Sequence, residues 1–350
     1  MGTDLSLYEF ELPAERIAQH AGERGRARLF VIKGDGSFTH GIFPDVLGYF
    51  GQGDLLVINN TKVLRARLLG QTPAGGRVEM LFTRAVDETR FRALVRPGKR
   101  FRPGASVAVG DVTLRIISRS EREAELEIER GPEVMALLES HGRVPLPPYI
   151  KRPPEPGDET RYQTVFASVS GSVAAPTAGL HFTPEILGKI REKGAGIATI
   201  TLHVGPGTFN PIRVSNLTEH TMESEWYEVP DETATAIRET REQGKRVFVC
   251  GTTCTRALET WTVGKGPAKG WTSLFIYPGH DFQVPDALIT NFHLPRSTPL
   301  ALVAAFCGRE TVLRAYAEAL ERDYTFGSYG DAMLVMRPAQ ACSRPLIAQN

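Results

Sequence analysis

Two kinds of hydrophobic pattern follow one another along the chain. Leu55-Leu56-Val57-Ile58 is a short unbroken apolar run ending in Asn59-Asn60-Thr61, which predicts a buried strand closed by turn residues. From about Arg65 to Glu129 apolar and polar positions alternate, in segments such as 77–82, 91–95, 105–109 and 112–117. Gly75-Gly76, Pro97-Gly98, Pro103-Gly104 and Gly110 separate them. Such spacing predicts a small antiparallel barrel or sandwich. Residues 145–158 are too rich in proline for helix or central strand and read as a return linker. Beyond them the pattern becomes helix and strand in turn. Thr183 caps a helix with Pro184 at its first position, Ile186, Leu187 and Ile190 on one face, and Gly194 as its stop, before a strand over 197–202. Asp231 opens a second helix that ends near Gly244. A strand over 246–250 then turns at Gly251-Thr252-Thr253 into a helix carrying Leu258. Helices over 300–306 and 310–322 precede a last strand at 332–335. The expected fold is an α/β main domain, residues 1–61 plus 151–350, with a small antiparallel β-barrel domain inserted at 62–150.

Composition narrows the class. With 350 residues, 41% hydrophobic and 23% charged, the chain is long enough for two real cores and unlike a disordered or fibrous sequence. The longest apolar stretch, 300–307, is far short of the ~18 residues a membrane span needs. The first ten residues carry two acids and no basic leader, so a cytoplasmic protein without membrane contact is expected. Cys250 and Cys254 have no second pair nearby and Cys307 and Cys342 stand apart, so neither a disulfide framework nor a metal is expected. A net charge of +1 argues against nucleic acid until it is opened up: residues 62–150 hold 16 basic and 11 acidic side chains, leaving 25 basic and 29 acidic elsewhere.

Candidate chemistry lies in loops. Residues 171–183 are rich in glycine and small residues that let a ligand approach the backbone, and the helix start at Thr183 offers N–H groups. A tight structural loop explains them equally well. His203-Val204-Gly205-Pro206-Gly207-Thr208-Phe209 follows a strand but lacks the third glycine of a dinucleotide loop, and Asn210-Pro211 stands where a helix should begin. Gly251-Thr252-Thr253, between strand and helix, suits a carboxylate or ribose hydroxyl, or simply caps the helix. His181, His203, His220 and His293 sit in Gly, Pro or Thr contexts without metal-ligand spacing, and Glu223 or Glu225 offers a general base. Arg92, Arg96, Lys99, Arg100 and Arg102, with Phe82, Phe91 and Phe101 interleaved and only Asp87 and Glu88 opposing, suit RNA phosphates and a stacked base. A solvated face over core aromatics is the competing reading.

Taken together these segments resemble one family, the S-adenosylmethionine:tRNA ribosyltransferase-isomerases of queuosine biosynthesis. The matching strings occur in order at 53–57, 145–150, 161–167, 171–183, 203–209, 251–253, 288–295 (Leu-Ile-Thr-Asn-Phe-His-Leu-Pro) and 328–334 (Ser-Tyr-Gly-Asp-Ala-Met-Leu). The resemblance implies transfer and isomerisation of the ribosyl group of S-adenosylmethionine onto 7-aminomethyl-7-deazaguanine (preQ1) at the tRNA wobble position. Epoxyqueuosine forms, and adenine and methionine leave. S-adenosylmethionine would be a co-substrate, with no further cofactor, and the protein a monomer. His181 or His203 would be the base, with Tyr162, Asp331 or His220 as donor or positioner. Adenosine would lie near Pro176-Thr177-Ala178-Gly179 and the amino-acid carboxylate on Gly251, Thr252 and Thr253, while Gly205, Gly207, Thr208, Asn291 and His293 complete the substrate site. The chain departs from the family pattern at Asn60 and Lys62, where an acid and an arginine are usual. It departs again at Glu223, where a histidine is usual, and at Arg24-Gly25-Arg26-Ala27-Arg28. Those departures leave a second reading, a divergent paralogue that binds RNA or S-adenosylmethionine without the full reaction; a third class, a non-enzymatic RNA-binding module, would use only the basic barrel.

Overall fold

The computed structural model describes residues 2–121, 123–209, 211–263 and 268–338; Asn210 and Cys342 lie outside them. In chain order the strands are β1 (Arg28–Ile32), β2 (Phe38–Ile42), β3 (Leu55–Asn59), β4 (Thr61–Val63), β5 (Arg67–Gln71), β6 (Arg77–Ala85), β7 (Arg90–Arg96), β8 (Ser106–Val109), β9 (Val112–Arg119) and β10 (Glu123–Arg130). After them come β11 (Val169–Ser172), β12 (Gly196–Leu202), β13 (Glu225–Glu228), β14 (Val247–Cys250), β15 (Lys269–Thr272), β16 (Ala287–Asn291) and β17 (Ala332–Met336). The helices are α1 (Val134–His141), α2 (Asp158–Arg161), α3 (Pro184–Glu192), α4 (Asp231–Glu242), α5 (Gly251–Val263), α6 (Thr298–Cys307) and α7 (Arg309–Glu321).

Among the described residues, nine strands make one mixed sheet in the order β15-β13-β12-β3-β14-β16-β17-β1-β2. Its centre, β12, β3, β14 and β16, is parallel throughout. The unbroken apolar run of β3 has the expected cause: alternate residues feed cores on opposite faces. Leu56 and Ile58 pack with α3 residues Ile186, Leu187 and Ile190 on one face, and Leu55 and Val57 with Ile237 of α4 and Leu258 of α5 on the other. α6 and α7 cover the same face farther along, packing on Phe30, Leu288 and Met333. α3 begins as its sequence dictates, with the Thr183 hydroxyl accepting from the Ile186 amide, so that amide is not free for an anion.

β5 to β10 close into a six-stranded antiparallel barrel in the order β10-β7-β6-β5-β8-β9. The apolar residues of each alternation point inward, Leu68, Met80, Phe91, Leu114 and Leu126 among them, and α1 adds Leu137 and Leu138. β4 stands outside the barrel and pairs with β11 in a two-stranded parallel ribbon. Arg67 and Arg143 bridge across the barrel's entrance, each amide donating to the other's carbonyl at 3.1 and 2.9 Å, so the chain enters and leaves through one paired doorway.

The interleaved aromatics are not base-stacking platforms. Phe82, Phe91 and Phe101 are all buried in the barrel core, because each occupies an inward position of its alternation or folds over the barrel end. Nor is the cluster opposed only by Asp87 and Glu88. β10 lies beside β7 with Glu125 opposite Arg92 and Glu127 opposite Arg90. Arg92 reaches Glu123 and Glu125 at 3.8 and 3.4 Å. These glutamates come from a strand some thirty residues on, which a local reading of charge does not see.

Candidate active site

Since β12, β3, β14 and β16 run parallel, their carboxyl ends lie along one edge, and the loops leaving them converge there. Asn59 closes β3. Its amide knits the edge, accepting from the Thr61 and Leu202 amides and donating to the Leu202 carbonyl at 2.9 Å and the Thr253 hydroxyl at 3.4 Å. Asn60, the position where an acid was expected, accepts from the Thr201 hydroxyl at 2.7 Å, so it too serves the edge. After β14, Gly251 adopts φ 90°, a left-handed conformation that lets the strand turn at once into α5 and brings Thr252 and Thr253 to the opening.

A cavity lies on this edge. Pro176, Thr177 and Ala178 line it after β11, Thr208 after β12, Gly251, Thr252 and Thr253 after β14, and Asn291 and His293 at the end of β16; Tyr149, Ser328 and several apolar residues are also in the wall. Among the described residues no Asp, Glu, Lys or Arg is in its wall. Asn291 is 2% exposed. Its Nδ2 donates to His181 Nε2 at 3.1 Å and to the Gly327 carbonyl at 3.2 Å, which leaves Oδ1 buried without a partner among the described residues. His293 Nε2 meets the Thr290 hydroxyl at 2.9 Å, and burial holds its pKa at about 3.

A second, smaller chamber shares Thr208, Thr252, Thr253 and Pro299 with this cavity and adds Arg256, Met222 and Phe275. Arg256, one turn into α5, is 6% exposed. It pairs with Glu225 and donates to the Leu274 carbonyl at 2.8 Å, while Nη2 stays buried and unpartnered among the described residues. Glu225 is therefore no free base: it accepts from the Gly205 amide at 2.8 Å and the Thr208 hydroxyl at 3.1 Å besides holding Arg256. The sequence hides this pair, whose halves lie 31 positions apart. An arginine on the buried face of α5 beside Cys254, Ala257 and Leu258 was the available signal.

Several singled-out residues stand elsewhere. Gly179 is not in the cavity wall; a Cβ there would come 2.7 Å from the Phe166 ring, so the glycine serves packing. Gly205 and Gly207 do not line it either, and a Cβ at Gly207 would strike the Glu223 carboxyl at 2.6 Å. His181 lies behind Asn291, against Phe43 at 5.2 Å, and faces a separate cavity with Arg24, Arg161 and Tyr329. Burial, with the Arg24 and Arg161 guanidiniums, lowers its pKa to about 4, so it is neutral. His203 binds the Thr61 hydroxyl at 2.8 Å through Nδ1 and stacks on Trp226, and burial lowers its pKa. The Tyr162 hydroxyl is buried without a partner in hydrogen-bonding geometry among the described residues, and burial raises its pKa well above the ordinary phenol. His220 packs edge-on against Phe275, 4.9 Å away, outside the main cavity. Asp331 spends its carboxylate on the Arg28 and Thr325 amides at 2.8 Å and the Thr325 hydroxyl at 3.0 Å, an anchor for the turn before β17.

A third feature is a cleft of about 790 Å³ between barrel and body. Arg67, Arg96, Lys151, Arg152, Arg213, Glu79 and Glu223 carry its charge. Of the five basic residues expected to meet RNA, only Arg96 lines it; Arg92, Lys99, Arg100 and Arg102 stand on other barrel surfaces.

The comparisons with known proteins agree with this architecture. A family model described as "Queuosine biosynthesis protein" matches residues 5–335. The chain belongs to the queuosine biosynthesis protein family. A curated member from Aquifex aeolicus, an S-adenosylmethionine:tRNA ribosyltransferase-isomerase, is 48% identical over 333 residues, covering 94% of this chain and 98% of its own. One of the same name from Pelobacter propionicus is 47% identical over 337 residues, with the same coverage. The crystal structure of the S-adenosylmethionine tRNA ribosyltransferase from Thermotoga maritima aligns with a TM-score of 0.55 and 36% identity, covering 94% of this chain and all of that one. In this queuosine biosynthesis protein the antiparallel barrel and the α/β body read from the hydrophobic pattern are both present, the body's sheet being mixed. Among its described residues no helix is long and apolar enough to cross a membrane, and no group of three His, Cys, Asp or Glu is placed to hold a metal ion.

Proposed function

We propose that the protein is a tRNA-modifying transferase-isomerase that moves the ribosyl group of S-adenosylmethionine onto the aminomethyl group of preQ1 in the tRNA anticodon. Epoxyqueuosine remains on the RNA, and adenine and methionine are released. The observation that carries this reading is the make-up of the cavity at the carboxyl edge of the sheet: hydroxyls, amides and a neutral imidazole, with no charged side chain among the described residues of the wall. A carboxylate beside a sulfonium would quench its field. In a neutral wall the sulfonium keeps its pull on the adjacent C5′ protons, which must be lost for the ribosyl carbon skeleton to rearrange. The donor's amino-acid carboxylate is assigned to Gly251, Thr252 and Thr253 with Arg256 beside them, and the adenosine to Pro176, Thr177 and Ala178. Asn291 Oδ1, an acceptor with no partner among the described residues, is positioned to take a donor hydrogen from the substrate. His181 fixes that orientation, because its Nε2 takes the Asn291 amide hydrogen.

The deciding experiment incubates the protein with S-adenosylmethionine and an anticodon stem-loop carrying preQ1. Mass spectrometry of the RNA shows the epoxycyclopentanediol addition and chromatography shows equimolar free adenine. Unchanged RNA with intact binding of both substrates overturns the reading and leaves a binding-only paralogue. Single-turnover rates of His181→Ala and His203→Ala test whether either imidazole removes the proton. Loss of the chemical step in His203→Ala with Asn291 intact assigns the base to His203; loss in His181→Ala counts for His181 as base only if it exceeds the loss in Asn291→Ala, since Asn291 is the residue that His181 orients. The domain division at 62–150 and a monomeric state belong to the same proposal. Sedimentation of the purified chain tests the latter.

A further inference from the structure

We propose that the tRNA backbone is gripped inside the cleft between barrel and body, by Arg96, Lys151 and Arg213, and not along the 99–102 edge of the barrel. The inference rests on the reading that tRNA is a substrate. Five cations line the cleft, and two are already committed: Arg67 to Glu79 at 2.9 Å and Arg152 to Asp158 at 2.6 Å. Arg96, Lys151 and Arg213 are exposed, come from both walls, and make no ion pair among the described residues. Glu223, which makes no ion pair among the described residues and accepts from the Gly207 backbone, faces them, and burial together with the charges of Glu225 and Glu123 raises its pKa, which weakens its claim on them. Exposed guanidinium and ammonium groups without carboxylate partners are the ones free to replace the counterions of a phosphodiester chain.

The cleft also leads to the chemistry. Three chain segments line both: Pro148, Val173 and Pro206 in the cleft are one or two residues from Tyr149, Ala175 and Thr208 in the wall of the donor cavity. A strand held by its phosphates in the cleft thus presents an unstacked base to the cavity mouth, as an enzyme acting on a single base requires. The 99–102 edge has no such continuity, and Arg100 there is spent on the Arg77 carbonyl.

The test measures binding of the full chain to an anticodon stem-loop at two salt concentrations. It compares the wild type, the triple variant Arg96→Gln, Lys151→Gln, Arg213→Gln, and the triple variant Lys99→Gln, Arg100→Gln, Arg102→Gln. All six residues are at the surface. The cleft variant is expected to lose at least tenfold in affinity and to flatten the log–log salt slope by about 2, with S-adenosylmethionine affinity by calorimetry unchanged. The edge variant is expected to stay within twofold. Equal losses in both variants, or a loss in the edge variant alone, overturn the proposal. A wild type that binds S-adenosylmethionine but no stem-loop overturns the substrate reading, and this one with it.

Discussion

On the barrel wall Arg90 and Arg92 lie beside Glu123 and Glu125, and their charge is largely spent on a neighbouring strand. At the carboxyl edge of the sheet the polar groups are buried far more deeply, yet Arg256 Nη2 and Asn291 Oδ1 are left over. An exposed cross-strand pair contributes little, and although Arg92 Nε also lacks a partner among the described residues, the rest of that guanidinium already faces Glu123 and Glu125 beside solvent. An orphaned buried atom costs about 1–3 kcal/mol, and a fold retains it where a ligand completes the bond. Density of charge along the chain and unfinished hydrogen bonding thus single out different parts of the molecule, the barrel wall and the carboxyl edge of the sheet.

The contrast can be broken most forcefully at Asn291. Asn291→Ala is expected to lower kcat/KM at least a hundredfold, about 3 kcal/mol, with circular dichroism unchanged. A loss under threefold would mean that the orphan oxygen serves nothing. Arg256→Gln alone strands Glu225 and should cost about 3–5 kcal/mol of stability in denaturant titrations. Paired with Glu225→Gln, stability should largely return while KM for S-adenosylmethionine stays about tenfold high. A restored KM would make the pair purely structural. Acid should expose the same asymmetry. His181 and His293 have folded pKa values of about 4 and 3, below the ordinary imidazole near 6.5, so only the unfolded chain takes up their protons between those limits. Stability is therefore full above about pH 6.5 and falls with decreasing pH, by up to about 1.4 kcal/mol per pH unit for each histidine. Denaturant midpoints from pH 7 to 4.5 should show it, and His293→Asn should reduce the slope. Smallest of all, Arg92→Gln on the barrel wall should change stability by less than about 1 kcal/mol and leave turnover as it was.

Local physics made much of the fold legible. The apolar run of β3, the Thr183-Pro184 start of α3 and the alternation of β6, β7 and β9 each carry their own signal and lie where they were expected. β2 and β13 carry none: Phe38-Thr39-His40-Gly41-Ile42 and Glu225-Trp226-Tyr227-Glu228 become strands through partners elsewhere in the chain. The site divides in the same way. The loops at 251–253 and 291–293 meet in one cavity because β14 and β16 run parallel and end together, the loop at 176–178 joins them from the β4–β11 ribbon, and each loop had a readable composition. Glu225 with Arg256, the screening of Arg92 by β10, and the cleft side chains Lys151 and Arg213 depend on pairings across tens to hundreds of residues. Periodicity says nothing about those.

The paired doorway at Arg67 and Arg143 bears on how the molecule assembles. A loose excursion of roughly 75 residues between β4 and the return linker would cost about 4 kcal/mol in chain-closure entropy before the sheet gained anything. A barrel that forms on its own local hairpins holds its two ends together and removes that penalty in advance. The insertion then acts as a clasp: the sheet's first third and last two thirds meet as neighbours, and loosening the barrel should slow the closing of the sheet as well as weaken the barrel itself.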